Sequence, residues 1–191
     1  MLDLFALVTI ILWPVVPLFW IPVHGLSRIF KNLGLLTYMM ALFTWFPLAY
    51  LMYTRRTFML HFKLDLPVVL NISGIPLLVL GTLLHIWTGK LLGLWALIGL
   101  PEVSIRIKGR LVTGGPFSVV RHPTYFAHTL MFSGVFLITG VVSVGIITLL
   151  DILLVNVFII PLEEKELLNR FGKDYNLYKE KVPKFFPRFH F

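Results

Sequence analysis

Two short stretches carry most of the reactive side chains. The first is Arg121-His122-Pro123 with Tyr125, at the mouth of a long apolar run. The second is Glu163-Glu164, just past Pro161 at the end of that run. Proline is favoured at the first position of a helix, where its missing N–H would be unpaired anyway. Pro123 therefore predicts a helix start with His122 at its cap. The open N–H groups and dipole of such a helix suit a carboxylate or phosphate. Arg121 adds a two-pronged donor for the same groups. Taken singly, each residue also has an ordinary reading: Arg121 anchors at lipid headgroups, His122 is interfacial and Pro123 is a start signal. The glutamates stand among cations at a membrane boundary. They either pair with Lys165, Arg110 or Arg121, or recognise a cationic ligand.

Neighbouring residues carry weaker signals. Gly114-Gly115-Pro116-Phe117 allows a backbone to approach a ligand closely, or simply turns the chain. Neither the glycine fingerprint of dinucleotide folds nor a P-loop is present. Asn156 stands seven residues before Glu163, on about the same helical face, and reads as a helix-packing residue. Asp151, an acid inside the last apolar run, reads as an interface or helix contact near the far surface. His85 reads as interfacial and His128 as packing. The histidines show no metal-ligand spacing.

These residues sit in a membrane chain. Of 191 residues, 58% are hydrophobic and 14% charged, with mean hydropathy +0.87. Ordinary soluble domains carry about 25% charged residues. The net charge of +8 does not point to nucleic acid, because the basic residues cluster between and after apolar runs. Cysteine is absent, which excludes disulfides, cysteine-ligated metals and a thiol nucleophile.

Apolar runs of about 20 residues are needed to span a bilayer core of about 30 Å. Residues 4–23, 33–53 and 66–87 are candidates, the first bent by Pro14, Pro17 and Pro22. The first run has no basic leader and reads as a retained span rather than a signal peptide. Residues 124–160, broken at Gly140, Ser143 and Gly145, read as a tight hairpin of spans four and five. The expected fold is all-α: a polytopic membrane protein with five transmembrane helices, a 4–5 hairpin and a helical C-terminal tail. It forms one domain, 1–191, with N-terminal spans in 1–100 and a catalytic part in 101–191. With the N-terminus outside, only Arg55, Arg56 and Lys63 among the lysines and arginines fall on the outer side. The positive-inside rule then makes the tail and the 88–122 loop cytoplasmic, on one face. Residues 91–100 are apolar but too short to span, so they read as interfacial or re-entrant.

In the tail, Gly172 is placed to stop one helix and Asp174 to cap the next. Phe171, Tyr175, Tyr178 and Val182 recur at helical spacing, and Pro183 ends the element.

The string "RHPTY", an apolar hairpin, and then "EEKELLNRFGKDYNLYKEKVPKFFP" resembles the isoprenylcysteine carboxyl methyltransferase family and its short prokaryotic relatives. The resemblance covers residues 108–187. The ordered pair of motifs carries it; the first three spans match only in being apolar. It implies an integral-membrane enzyme using S-adenosylmethionine and releasing S-adenosylhomocysteine. It also implies a cofactor pocket built from the loop before span four, the start of that span, the end of span five and the tail. Arg121, His122 and Glu164 are then the expected catalytic residues. Lys108, Leu111, Val112, Gly115, Pro116, Arg121, His122, Tyr125, Glu163 and Glu164 are expected at the cofactor, and no metal is.

On this reading the cofactor carboxylate goes to the span-four start and Arg121 or His122, and its amino group to Glu163 or Glu164. A carboxylate or thiolate acceptor needs no strong base, whereas an amine must lose a proton. A lipophilic or prenylated acceptor enters from membrane lipid, with residues 91–100 and Arg106 at its gate. Related motifs occur in phospholipid methyltransferases and, more loosely, in NADPH-dependent sterol reductases. The tandem glutamates disfavour a polyanionic ligand. A non-enzymatic adaptor binding anionic lipid through its basic tail is the remaining alternative.

Overall fold

A computed structural model of the chain describes residues 2–104, 107 and 109–185. Lys108, expected at the cofactor, and Arg106, expected at the gate, lie outside the described residues.

The first apolar run forms α1 (Leu2–Leu12) and α2 (Val15–Gly25), jointed where Pro14 removes a backbone donor. The carbonyl of Ile11 at this joint accepts a 2.8 Å hydrogen bond from the Trp45 indole. In a bilayer a carbonyl at a helix joint has no water to turn to. Short α3 (Ser27–Leu33) leads to α4 (Leu36–Thr54), and α5 (Arg56–His61) turns back toward α6 (Val68–Leu92). Residues 91–100 do not span: α6 ends at Gly93, and α7 (Leu94–Leu97) and α8 (Leu100–Val103) are single turns with Leu94 and Trp95 exposed.

The hairpin forms as two helices, α9 (Pro123–Thr139) and α10 (Val142–Leu154). Gly140 makes the reversal with φ 64°, and a Cβ there would run into the Leu64 carbonyl oxygen. Leu64 N–H donates to Gly140 O at 2.8 Å, tying the turn to the 62–64 loop. At the same end Lys63 pairs with Asp3 at 2.6 Å. Asp151, 1% exposed, accepts the Trp13 indole N–H at 2.9 Å, so this acid is a contact between α10 and the α1–α2 joint.

After α10 the helix continues through a π-turn, Val155–Ile159, into α11 (Ile160–Phe171). Pro161 cannot donate to the carbonyl of Val157, and the widened turn carries the helix past that defect rather than ending it. Gly172, at φ 55°, stops α11. The tail helix α12 (Lys173–Lys181) begins there, so Gly172 occupies the cap expected for Asp174. Asp174 instead lies in the first turn, where its charge favours the helix dipole.

Four helical stretches are long and apolar enough to cross a membrane among the described residues: Leu2–Gly25, Leu36–Thr54, Val68–Leu92 and Val142–Phe171. With the composition, these make the chain an integral membrane protein. The expected fourth span corresponds to α9, whose 17 residues rise about 25 Å, short of a full bilayer core. It lies tightly along α6. A Cβ on Gly74 would sit 2.7 Å from Gly134 O, and one on Gly81 2.8 Å from Ala127 O. Small residues let two membrane helices approach to backbone contact, where dispersion replaces a hydrophobic driving force. Among the described residues no strand forms beyond one isolated bridge, Lys63 with Val141.

Candidate functional site

The N-terminus of α9 and the N-terminal half of α11 lie side by side at the membrane face opposite the Gly140 turn. Pro123 does begin α9, with His122 at the cap position. His122 is buried, and its two ring nitrogens face the two glutamates. Nε2 lies 3.1 Å from Glu164 Oε1 and Nδ1 lies 3.5 Å from Glu163 Oε2. Arg121 closes on the same carboxylate, with Nη2 at 2.7 Å and Nε at 3.1 Å from Glu164 Oε1. Lys179 of α12 reaches the other oxygen of Glu164 at 2.6 Å.

Arg121 also straps down the tail. Its Nη1 donates to the carbonyls of Lys179 and Val182, and its backbone N–H donates to Pro183 O at 2.8 Å. The aromatic face foreseen in the tail seals the strap. Tyr175, Tyr178 and Val182 are buried against Leu111, Leu167 and Phe171, and Tyr178 donates a 2.6 Å hydrogen bond to Phe117 O. Arg121 is thus paired within the protein, and is not the open anion clamp that its place in the sequence suggests.

Beneath the strap lies a cavity of about 310 Å³, a volume within the range of small-molecule sites. Of the expected cofactor residues, Leu111, Val112, Arg121, His122, Tyr125 and Glu163 line it. Glu164 is not on the lining; it stands behind Arg121 and His122. Gly115 and Pro116 are also off the lining, in a 3₁₀ turn (Gly115–Ser118) in which Gly115 sits against Leu91 and Trp87 of α6.

The cavity holds polar atoms with unused bonding capacity, several on residues the sequence reading did not single out. Glu102 Oε2 and Glu163 Oε2 are buried acceptors without a hydrogen bond; the Glu163 oxygen has only its 3.5 Å ion-pair contact with His122. Arg170 Nε is a buried donor without a partner, as are the hydroxyls of Thr124 and Tyr175. All five residues line the same cavity. Arg170 is held in place by Glu102 Oε1 at 3.0 Å and Glu166 at 3.2 Å, and Glu166 also meets Lys31 at 3.3 Å. Buried polar groups are nearly always paired, so this concentration of open ones marks a place for a ligand. His85 and His128 also line the cavity, with their rings tilted at 38° and centroids 4.9 Å apart.

The environment tunes these groups. Burial alone would lower the pKa of His122, but its contacts with Glu163 and Glu164 outweigh burial and raise it. An imidazolium can donate from both nitrogens, which suits a ring held between two carboxylates. Burial raises Glu102 against the opposing pull of Arg170. Burial also pushes Tyr178 up to about 12 and raises Tyr175 further, so both hydroxyls stay protonated at neutral pH.

No curated protein and no solved structure matches this chain. Residues 69–174, from the start of α6 through the first turn of α12, match the phospholipid methyltransferase family, which is related to the isoprenylcysteine carboxyl methyltransferases. That stretch is more than half of the chain and contains the Arg121-His122 and Glu163-Glu164 pairs together with Glu102 and Arg170. The protein is a membrane methyltransferase of the phospholipid methyltransferase family.

Proposed function

We propose that the chain transfers a methyl group from S-adenosylmethionine to a lipophilic acceptor, with the cofactor in the cavity beneath the tail strap. The observation that carries this is the chemistry of the open polar atoms. Two buried carboxylate oxygens, Glu102 Oε2 and Glu163 Oε2, line the cavity without a hydrogen bond and would suit a ligand with ammonium and sulfonium charge. One guanidinium nitrogen, Arg170 Nε, and the Thr124 hydroxyl stand ready for a carboxylate. The start of α9 adds backbone N–H groups to that donor set. A zwitterion with an added positive charge fits this set. A nicotinamide dinucleotide with several phosphates would place its negative charge against Glu102 and Glu163, which disfavours the reductase reading.

When bound, S-adenosylmethionine supplies an electrophilic methyl group on a sulfonium. The chain's own contribution is positioning and exclusion of water. Glu163 and Glu102 would hold the ammonium end, and Leu111, Val112 and Phe117 would offer apolar surface to the adenosine. Glu164 acts through Arg121 and His122 as a positioning residue. It neutralises them while they hold the tail across the cavity. Leu92, Ala96 and Leu97, at the junction of α6 and α7, form an apolar wall open to a lipophilic acceptor. The basic residues flanking this face support a cytoplasmic site and C-terminus, with the N-terminus outside. A prenylcysteine-like carboxylate and a phospholipid headgroup are both acceptors of suitable size and polarity.

Purified protein extracted with acid and analysed by mass spectrometry should release S-adenosylhomocysteine or S-adenosylmethionine. Labelled cofactor should then pass its methyl to a lipid fraction. Transfer to no lipid, with no nucleoside retained, contradicts the proposal.

A further inference from the structure

Helix α11 divides two cavities. Glu163, Leu167 and Arg170 line the one beneath the tail, while Leu162, Lys165, Glu166 and Asn169 line a second, of about 410 Å³. Residues three, four and seven apart share one face of a helix, so each set forms a stripe. The rest of the second wall comes from the end of α2 and the start of α3, including His24, Ser27 and Arg28. No residue lines both cavities. The apolar stretch Leu2–Gly25 ends here, so the second cavity stands at the boundary of the membrane.

His24 has no place for its polar atoms within the fold. It is 6% exposed, and neither ring nitrogen has a hydrogen-bond partner. Trp20 covers one ring face, with centroids 5.2 Å apart and planes 15° from parallel. A neutral imidazole carries one N–H donor and an imidazolium two. Burying such a donor unpaired is costly, and a ligand that accepts from it removes the cost.

The cations around His24 are unspent. Arg28 and Lys165 are exposed, and among the described residues neither side chain makes a hydrogen bond or ion pair. Glu166 is the one acid on this lining, and it is already paired with Lys31 at 3.3 Å and Arg170 at 3.2 Å. The cavity therefore keeps two free positive charges, a hydroxyl on Ser27 and the imidazole of His24. Leu26 and Ile29, each 53% exposed, stand on either side of Arg28 and also line the cavity.

We infer that this second cavity binds the phosphate of an anionic lipid headgroup, at a site separate from that of methyl transfer. Arg28 and Lys165 supply the charge, His24 and Ser27 each supply a donor, and Leu26 and Ile29 meet the acyl chains. A soluble phosphate would find the same donors, but exposed apolar side chains at the end of a span select the lipid. Basic side chains at the membrane surface attract anionic lipid in the same way. A zwitterionic headgroup brings its own ammonium against the two cations and is disfavoured.

Native mass spectrometry of the detergent-solubilised protein, titrated with dioleoyl phosphatidylglycerol or dioleoyl phosphatidylcholine, reads this site. The unmodified protein should bind one phosphatidylglycerol about tenfold more tightly than phosphatidylcholine, the scale of one charge-assisted hydrogen bond. Arg28→Gln with Lys165→Gln should abolish that preference; both side chains are exposed, so the fold does not depend on them. Arg55→Gln with Arg56→Gln removes equal charge at the far end of α4 and should retain it. His24→Phe, which keeps a ring against Trp20, should weaken phosphatidylglycerol binding. Equal binding of the two lipids by the unmodified protein overturns the inference. So does a preference that survives the Arg28 and Lys165 substitutions, one lost equally in the Arg55 and Arg56 variant, or undiminished binding in His24→Phe. Displacement of the bound lipid by millimolar inorganic phosphate would assign the site to a soluble phosphate and overturn it as well.

Discussion

Glu164 Oε1 lies 2.7 Å from Arg121 Nη2, joining the end of the long α10–α11 helix to the start of α9. Both side chains are nearly buried, at 9% and 12% exposure, and Arg121 extends the link to the tail through two carbonyls. The site is therefore closed by an internal ion pair.

Removing one partner from such a pair leaves a charge without compensation, at a cost of about 3–5 kcal/mol. Arg121→Ala is expected to lower thermal stability in detergent markedly and to open the tail to limited proteolysis after Lys173 and Lys179. Arg121→Lys, which cannot span Glu164 and two carbonyls together, should be intermediate. An intact, protease-resistant tail in Arg121→Ala would contradict the strap.

The pH dependence has a definite sign. His122 has a folded pKa raised above its ordinary value of 6.5 by the two glutamates. The folded protein binds more protons than the unfolded chain between those two values, so stability falls as pH rises through that window. The contribution is complete below about 6.5 and lost above the folded value. Thermal unfolding from pH 6 to 9 should show this loss, and His122→Gln should flatten it. An unchanged slope in His122→Gln would remove His122 as its source.

The open carboxylates make a different kind of prediction. Glu163→Gln and Glu102→Gln keep the shape of the cavity but remove charge from carboxylates that each leave one buried oxygen without a hydrogen bond. Each is expected to weaken S-adenosylhomocysteine binding by about 10- to 100-fold, the scale of a charge-assisted hydrogen bond. Glu163→Gln should also bring a smaller stability loss than Arg121→Ala. Unchanged affinity in both variants would assign these residues to packing.

The seam of α6 and α9 is expected to tolerate no side chain. A Cβ on Gly134 would lie 2.6 Å from Leu78 N and 2.8 Å from Gly74 O, both backbone atoms that cannot swing away. Gly134→Val should lower stability by roughly 1–3 kcal/mol or more through overpacking. Gly145→Ala meets only the Phe136 ring and should cost less. Equal losses in thermal unfolding would argue against backbone contact at Gly134.

How much of this was legible beforehand differs by residue. Pro123 and Gly140 declared their helix boundaries because proline and glycine act locally, through a missing N–H and a positive φ. The proximity of Glu163-Glu164 to Arg121-His122 was also readable, since a hairpin must bring the start of one helix beside the end of the next. What Arg121 would hold was not. An arginine suited to an anionic ligand is equally suited to Glu164 and to tail carbonyls, and only the docked tail decides between them. Glu102 and Arg170 gave no local signal; they meet because the Arg170 side chain reaches from α11 to α8, a single turn set against α3. His85 looked interfacial and His128 looked like a packing residue. Their pairing arises from Gly81 against Ala127, a contact between segments more than forty residues apart. Asp174 had the right chemistry for a cap, but Gly172 takes that place by adopting the left-handed turn that ends the previous helix.

The central claim is that the cavity between α9, α11 and the tail binds S-adenosylmethionine and its thioether product. Calorimetric titration of the detergent-purified protein with S-adenosylhomocysteine tests it most directly. The expected result is saturable one-to-one binding that Glu163→Gln weakens at least tenfold while NADPH produces no heat. Absence of S-adenosylhomocysteine binding by folded protein, or binding of NADPH in its place, would contradict the account.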